Sequence, residues 1–120
     1  MSEHDCIFCK IARGEIPSKK IYEDDEFFAF HDIRPAAPVH GLVIPKRHIE
    51  TLSAVTEDDA PLLGRMLVLT SRLAAELGCA YTGDETGFRT VINTGPNGGQ
   101  EVYHLHAHIL GGPRPWTRMS

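Results

Sequence analysis

Apolar positions along the chain change period several times, and each change predicts an element. Residues Ile7 to Arg13 carry the pattern of a short helix, stopped by Gly14 and Pro17. Ile21 to Glu23 and Phe27 to Asp32 are β-branched and aromatic runs joined by the turn signal Asp24-Asp25, which predicts two strands of a half-buried sheet. Pro35 and Pro38 interrupt the run, and His40 to Pro45 predicts a third strand. The period then lengthens: Leu62, Leu63, Met66, Leu69, Leu73 and Leu77 recur at steps of three and four and share one helical face. Thr56 and Asp59 have capping-box spacing, Pro61 falls in the first turn, and Gly78 closes the helix. Phe88 to Asn93 and Leu105 to Leu110 predict two more strands. Strands on both sides of one long helix, without strict alternation, indicate an α+β domain with an antiparallel sheet.

Composition narrows the classes. The 120 residues carry 12 Lys plus Arg against 16 Asp plus Glu, a formal charge of −4, which speaks against sequence-independent nucleic-acid binding. No apolar run nears the roughly 20 residues of a membrane span, and MSEHDC lacks a secretory apolar segment. One cytoplasmic domain is expected, with no repeat and no linker. Three cysteines are an odd count, poor evidence for a disulfide framework. Cys79 reads as a buried thiol. Cys6 and Cys9 form C-x-x-C, a metal or redox spacing; the redox reading needs a preceding strand, which the sequence does not supply.

The chemistry concentrates in histidines. Seven are present, three of them in the line His104-Leu105-His106-Ala107-His108. On a strand, alternate residues share a face, so three imidazoles would point one way while Leu105 and Ala107 enter the core. Stacked titratable rings carry desolvation and repulsion costs that packing alone does not explain. Two chemistries use such a ladder: a metal site on the three rings, or a histidine nucleophile whose neighbours fix its tautomer and hold an anion. The preceding Asn93-Thr94-Gly95-Pro96-Asn97-Gly98-Gly99-Gln100 is a glycine-rich loop whose backbone N–H groups could form a phosphate nest. Beside three histidines it points to phosphoryl transfer.

H-L-H-A-H-I-L resembles the His-φ-His-φ-His-φ-φ motif of the histidine triad superfamily, with φ apolar. The segments IFCKIARGEIPSKKIYEDDEFFAFHDIRPAAPVHGLVIPKRH and FRTVINTGPNGGQEVYHLHAHILGG resemble its Hint branch, from about Cys6 to Gly112. The resemblance implies a single HIT-like domain over 1–120, with a flexible segment 1–5 and a tail 113–120. Its fold would be an α+β five-stranded antiparallel sheet with one long and one short helix, in a homodimer. It implies a purine nucleotide ligand and hydrolysis of nucleoside 5′-phosphoramidates such as AMP-amines and aminoacyl adenylates. His106 would attack phosphorus, His108 would bond the phosphate, and His40 would extend the relay, with His104 completing the triad. Asp32 would take the ribose hydroxyls. Ile7, Phe8, Ile11, Phe30, His31, Ile33 and Leu42 match the walls of the base cleft, and Asn93, Gly99, Gln100 and Glu101 its phosphate side. Glu101 replaces a serine of the animal Hint proteins, where it would engage a cationic leaving amine. The tail keeps an aromatic, Trp116, but ends differently, which bears on substrate preference. Related uridylyltransferases hold zinc with two cysteines, a distant histidine and the first triad histidine. Here these would be Cys6, Cys9, His48 and His104, a closed set and so a structural zinc. The alternatives are a dinucleoside polyphosphate hydrolase of the same superfamily, a nucleotide-binding scaffold, and a metallohydrolase with its ion on the triad.

Overall fold

The computed structural model describes residues 5–114. Its elements are α1 (Ile7–Ala12), β1 (Lys20–Glu23), β2 (Phe27–His31), β3 (Val39–Pro45), α2 (Ala60–Glu76), β4 (Phe88–Val91) and β5 (Ala107–Gly111). The five strands form one antiparallel sheet in the order β1-β2-β3-β5-β4. The α+β reading and its elements hold. No helix among the described residues is long and apolar enough to cross a membrane.

The expected half-buried sheet is buried on both faces at its centre. Alternation along β2 and β3 sends Phe27, Ala29 and Val43 into a core with Met66, Leu69 and Leu73 of α2. The same alternation sends Phe28, Phe30, Leu42 and Ile44 into a second core under Phe8, Cys9 and Ile11 of α1. Burial on both faces is why these strands are near-continuous apolar runs. The long helix starts as its sequence suggests: Thr56 N–H donates to Asp59 Oδ2 at 2.9 Å, closing a capping box around the 3₁₀ turn Glu57–Asp59 that leads into α2. Gly78 follows the helix at φ +83°.

The histidine line is not wholly on a strand, a correction to the ladder expectation. Paired strand begins at Ala107, opposite Val43, so His104 and His106 precede it. The register would bring Leu105 to Pro45, which has no N–H to give. Leu105 N–H instead bonds the Ile49 carbonyl at 2.6 Å. Alternation nonetheless persists, with Leu105 and Ile109 in the α2 core and the imidazoles of His106 and His108 meeting edge to face, 5.0 Å apart, on the opposite face. After β5 the chain needs glycine: a Cβ on Gly111 would lie 2.5 Å from Cys79 Sγ.

Candidate active site

The tautomers of the imidazoles can be read from backbone partners. His106 Nδ1 lies 2.7 Å from the His104 carbonyl, which can only accept. Nδ1 therefore carries the proton and Nε2 the lone pair. His40 Nδ1 accepts from the Ala36 N–H at 3.0 Å, which puts the proton of the neutral ring on Nε2, 2.8 Å from His108 Nδ1. His108 accepts there and keeps its own proton on Nε2. The site thus presents one nucleophilic nitrogen, on His106, beside one N–H donor, on His108. His40 reaches His108 because Leu42 opposes His108 and His40 stands two residues along β3 on the same face.

Burial disfavours the charged form of these rings. It lowers the pKa of His106, against the opposing effects of the His104 carbonyl and of Asp32. Burial, with His106 and His40 nearby, pushes His108 down to about 4 despite Asp32. His40 is lowered by burial, with Asp32 pulling the other way. Asp32 Oδ1 accepts from the Arg34 N–H at 2.7 Å, and Oδ2 stands 3.6 Å from His40 Nε2. Asp32, His40 and His108 do cluster, but the 2.8 Å bond between the two rings holds a proton where an ion would need a lone pair. Folded pKa values below the unfolded one make protons favour the unfolded chain, so stability should fall as pH drops from about 6.5 toward 4. Thermal melts from pH 7.5 to 4.5 should show this, and His108→Gln should flatten the slope. An unchanged slope would mean that His108 is not held neutral by the fold.

A second cluster adjoins the first. Cys6 caps α1, and Cys9 N–H donates to its sulfur at 3.3 Å. His104 Nε2–H donates to the Pro45 carbonyl at 2.7 Å, leaving a lone pair on Nδ1. That nitrogen lies 3.2 Å from Cys6 Sγ, 3.4 Å from Cys9 Sγ and 3.2 Å from His48 Nδ1, itself 3.4 Å from Cys9 Sγ. A tetrahedral zinc with ordinary bond lengths spaces sulfur and nitrogen ligands about 3.3–3.8 Å apart. Three groups converge on one lone pair, more than a single proton could satisfy. The four residues therefore fit a divalent ion by spacing and donor chemistry. The three triad rings do not gather as ligands among the described residues: the free nitrogen of His104 points into the cysteine cluster and His108 Nδ1 is taken by His40.

The remaining expected residues fall into three groups. Phe8, Ile11, Phe30 and Leu42 meet in the α1 core, and Phe8 packs edge-on to Phe30 and, 5.1 Å away, to His106. His31 ends β2 beside them, half-buried, its N–H on the Lys19 carbonyl. Ile33 does not join this wall; it is 92% exposed. Ile7 is also exposed, on the outer side of α1. The glycine-rich loop expected to form a phosphate nest is bonded largely within itself. Gly98 and Gln100 N–H bond the Gly95 carbonyl, Gly99 N–H the Pro96 carbonyl, and Gly95 N–H the Gln100 Oε1. Those amides are satisfied inside the loop. Gln100, buried, gives its own amide hydrogens to the Glu50 and Val102 carbonyls. It locks the loop. Asn93 Nδ2 likewise bonds the Gly98 carbonyl at 2.7 Å, and Gly99 turns the chain at φ +79°. Glu101 is exposed. Trp116 lies outside the described residues. Sequence reasoning missed the Ala36 N–H and the His104 and Pro45 carbonyls; backbone groups leave no residue-type signal.

The site is thus a histidine pair, His106 buried and His108 half-buried, held in fixed tautomers beside β3 and β5 of a small α+β domain. Residues 13–114 match the HIT domain family, to which the chain belongs. It is 50% identical to Protein HitA of Neisseria gonorrhoeae over 91% of this chain and 97% of that protein. It is 46% identical to the purine nucleoside phosphoramidase of Escherichia coli over 90% and 87% of the two chains. A HIT family hydrolase of Legionella pneumophila superposes with a TM-score of 0.86 at 49% identity, covering 92% and 95%. A histidine triad protein of Clostridium difficile gives 0.86 at 48%, covering 96% of each. The chain is an enzyme of this hydrolase family.

Proposed function

We propose that the chain hydrolyses purine nucleoside 5′-phosphoramidates through a nucleotidyl-histidine on His106. The observation that carries the reading is the 2.7 Å bond from His106 Nδ1–H to the His104 carbonyl, which aims an unprotonated Nε2 into the site. The similarity to a purine nucleoside phosphoramidase supports the substrate class.

Nε2 attacks phosphorus; the Nε2–P bond forms and the P–N bond breaks, its electron pair leaving on an amine that takes a proton from solvent. The adduct ring is then cationic, and its Nδ1–H bond to the His104 carbonyl stabilises that charge. His108 Nε2–H, backed by His40, donates to a phosphate oxygen throughout. Water then attacks phosphorus, the Nε2–P bond breaks, and a proton passes to solvent as the nucleoside monophosphate leaves. Phe8, Ile11, Phe30, His31 and Leu42 would hold the base, Asp32 the ribose hydroxyls, and Glu101 a cationic leaving amine. Cys6, Cys9, His48 and His104 would hold a structural zinc, which supplies cross-linking and takes no part in the chemical step. The reading includes a homodimer, favoured by β4 at the sheet edge and by exposed Leu67 and Val68 on α2.

The test is release of AMP from adenosine 5′-phosphoramidate, with the intermediate trapped by rapid denaturation and mapped by mass spectrometry. AMP release with the adduct on the peptide containing His106 is expected. Binding of AMP without turnover, or an adduct on another residue, overturns the reading.

A further inference from the structure

His104 is the residue that the two clusters share, and its three polar groups serve different ends. Its ring Nδ1 belongs to the cysteine–histidine cluster, its ring Nε2–H holds the Pro45 carbonyl of β3, and its own carbonyl takes the His106 Nδ1–H. Segment 101–106 is not in the sheet, so no strand ladder holds that carbonyl. What holds it is the Leu105 N–H on Ile49, the Gln100 amide on Glu50, and whatever binds the His104 ring. Two of those anchors, the Ile49 and Glu50 carbonyls, directly follow His48, another member of the cluster. Phe8 lies between Cys6 and Cys9 on α1 and packs edge-on to both His104 and His106, 6.1 and 5.1 Å away. Two of the four cluster residues, Cys6 and Cys9, lie ahead of the segment matched by the family.

We propose that an ion bound by Cys6, Cys9, His48 and His104 is a positioning device for His106, fixing its Nδ1–H tautomer and ring direction through the His104 carbonyl. The deduction is electrostatic. Two sulfurs and two ring nitrogens lie within 4.8 Å of one another, three of those contacts on a single lone pair. A cation satisfies all of these contacts at once; without one a single S–H or N–H proton serves the Nδ1 lone pair, the other contacts lose their attraction, the His104 ring relaxes, and its carbonyl turns with it. A buried His106 that loses its acceptor then samples both tautomers, and in the wrong one the proton sits on Nε2, where the lone pair is required. The asymmetry of the two ligand rings fits this division. His104 has a backbone acceptor for its second nitrogen, whereas His48 Nε2 is buried without a hydrogen-bond partner among the described residues. His104 is thus the oriented ligand, and His48 the one that can be weakened without touching the catalytic rings.

The consequence for catalysis rests on His106 being the nucleophile; the tautomer itself does not. The experiment is a long-range 1H–15N spectrum of the imidazoles in the full chain, zinc-loaded and after chelation, with backbone amides of β1–β5 as the control for folding. Loaded protein should show His106 with a protonated Nδ1 and a pyridine-type Nε2. Stripped protein should show the two shifts moving toward each other, with kcat down about 10–100-fold and AMP affinity changed less than about threefold. If the stripped chain unfolds, His48→Asn titrated with zinc replaces it, and the His106 tautomer should track occupancy. Identical His106 shifts at zero and full occupancy overturn the proposal, as does a native chain that takes up neither zinc nor cobalt. Because the spectrum needs no substrate, a loaded protein with the expected tautomer but no AMP release would fail the hydrolase reading alone.

Discussion

His106→Ala should lower kcat for adenosine 5′-phosphoramidate by about ten-thousandfold or more while leaving AMP binding within a fewfold of wild type. The size follows from what the substitution removes. A covalent route divides one difficult displacement into two, and without Nε2 only water positioned by the remaining groups can attack. Ten-thousandfold corresponds to about 5.5 kcal/mol of transition-state stabilisation. Binding is expected to persist because the proposed base wall, Phe8, Ile11, Phe30 and Leu42, packs as a core around α1 apart from the His106 ring nitrogens. Two controls separate chemistry from packing, since His106 is itself buried against Phe8. His106→Gly should recover measurable turnover with added imidazole, which a merely structural loss would not allow. His108→Ala should lose about a hundred- to thousandfold, the usual effect of deleting one donor to a developing charge. Equal turnover by wild type and His106→Ala would show that another group attacks phosphorus.

The ordering of those effects rests on the tautomers, and these were the part of the site least legible in the sequence. The alternation His104-Leu105-His106-Ala107-His108 announced a shared face, and the face is real. What it could not announce is that the three rings do different work. His108 sits in the ladder opposite Leu42, whereas His104 and His106 approach it along a segment the ladder never captures. The cause is Pro45: without an N–H it ends the pairing, and its free carbonyl then takes the His104 ring. The residues were readable; their division of labour depended on a partner some 60 positions away.

Long-range partners also explain the other differences. A glycine-rich stretch from Asn93 to Gln100 reads locally as a nest of open amides. Gln100 closes that nest by reaching back to Gly95 and across to Glu50, a contact between segments 50 residues apart. The second core was similarly hidden, because Phe27 to Phe30 look alike whether one face or both are covered until α1 is placed over them. Ile33, apolar by type, is fully displayed because the Asp32 side chain and the two following prolines hold a tight turn away from the sheet. By contrast, the capping box at Thr56 and the α2 stripe are set by neighbours within a few residues. Those readings hold.

Cys6→Ser and Cys9→Ser should each lower the melting temperature of zinc-loaded protein by roughly 10 °C or more. A domain of this size is stabilised by only about 5–15 kcal/mol, whereas structural zinc contributes on the order of 10 kcal/mol in small peptides. Even a third of that contribution suffices for the stated shift. The location makes the effect global: the cluster ties α1, the segment after β3 and the approach to β5 at one point. Both sulfurs are buried, so serine there places a hydroxyl among groups arranged for a soft cation and weakens binding further. Cys79→Ser supplies the comparison, a buried thiol outside the cluster that should change stability without changing metal content. Metal content measured beside each melt decides the cause. Loss of about one ion per chain together with the melting shift assigns the stabilisation to the cluster. A shift of equal size in protein that never held metal would assign it to packing of α1 against Phe28, Phe30 and Ile44 instead.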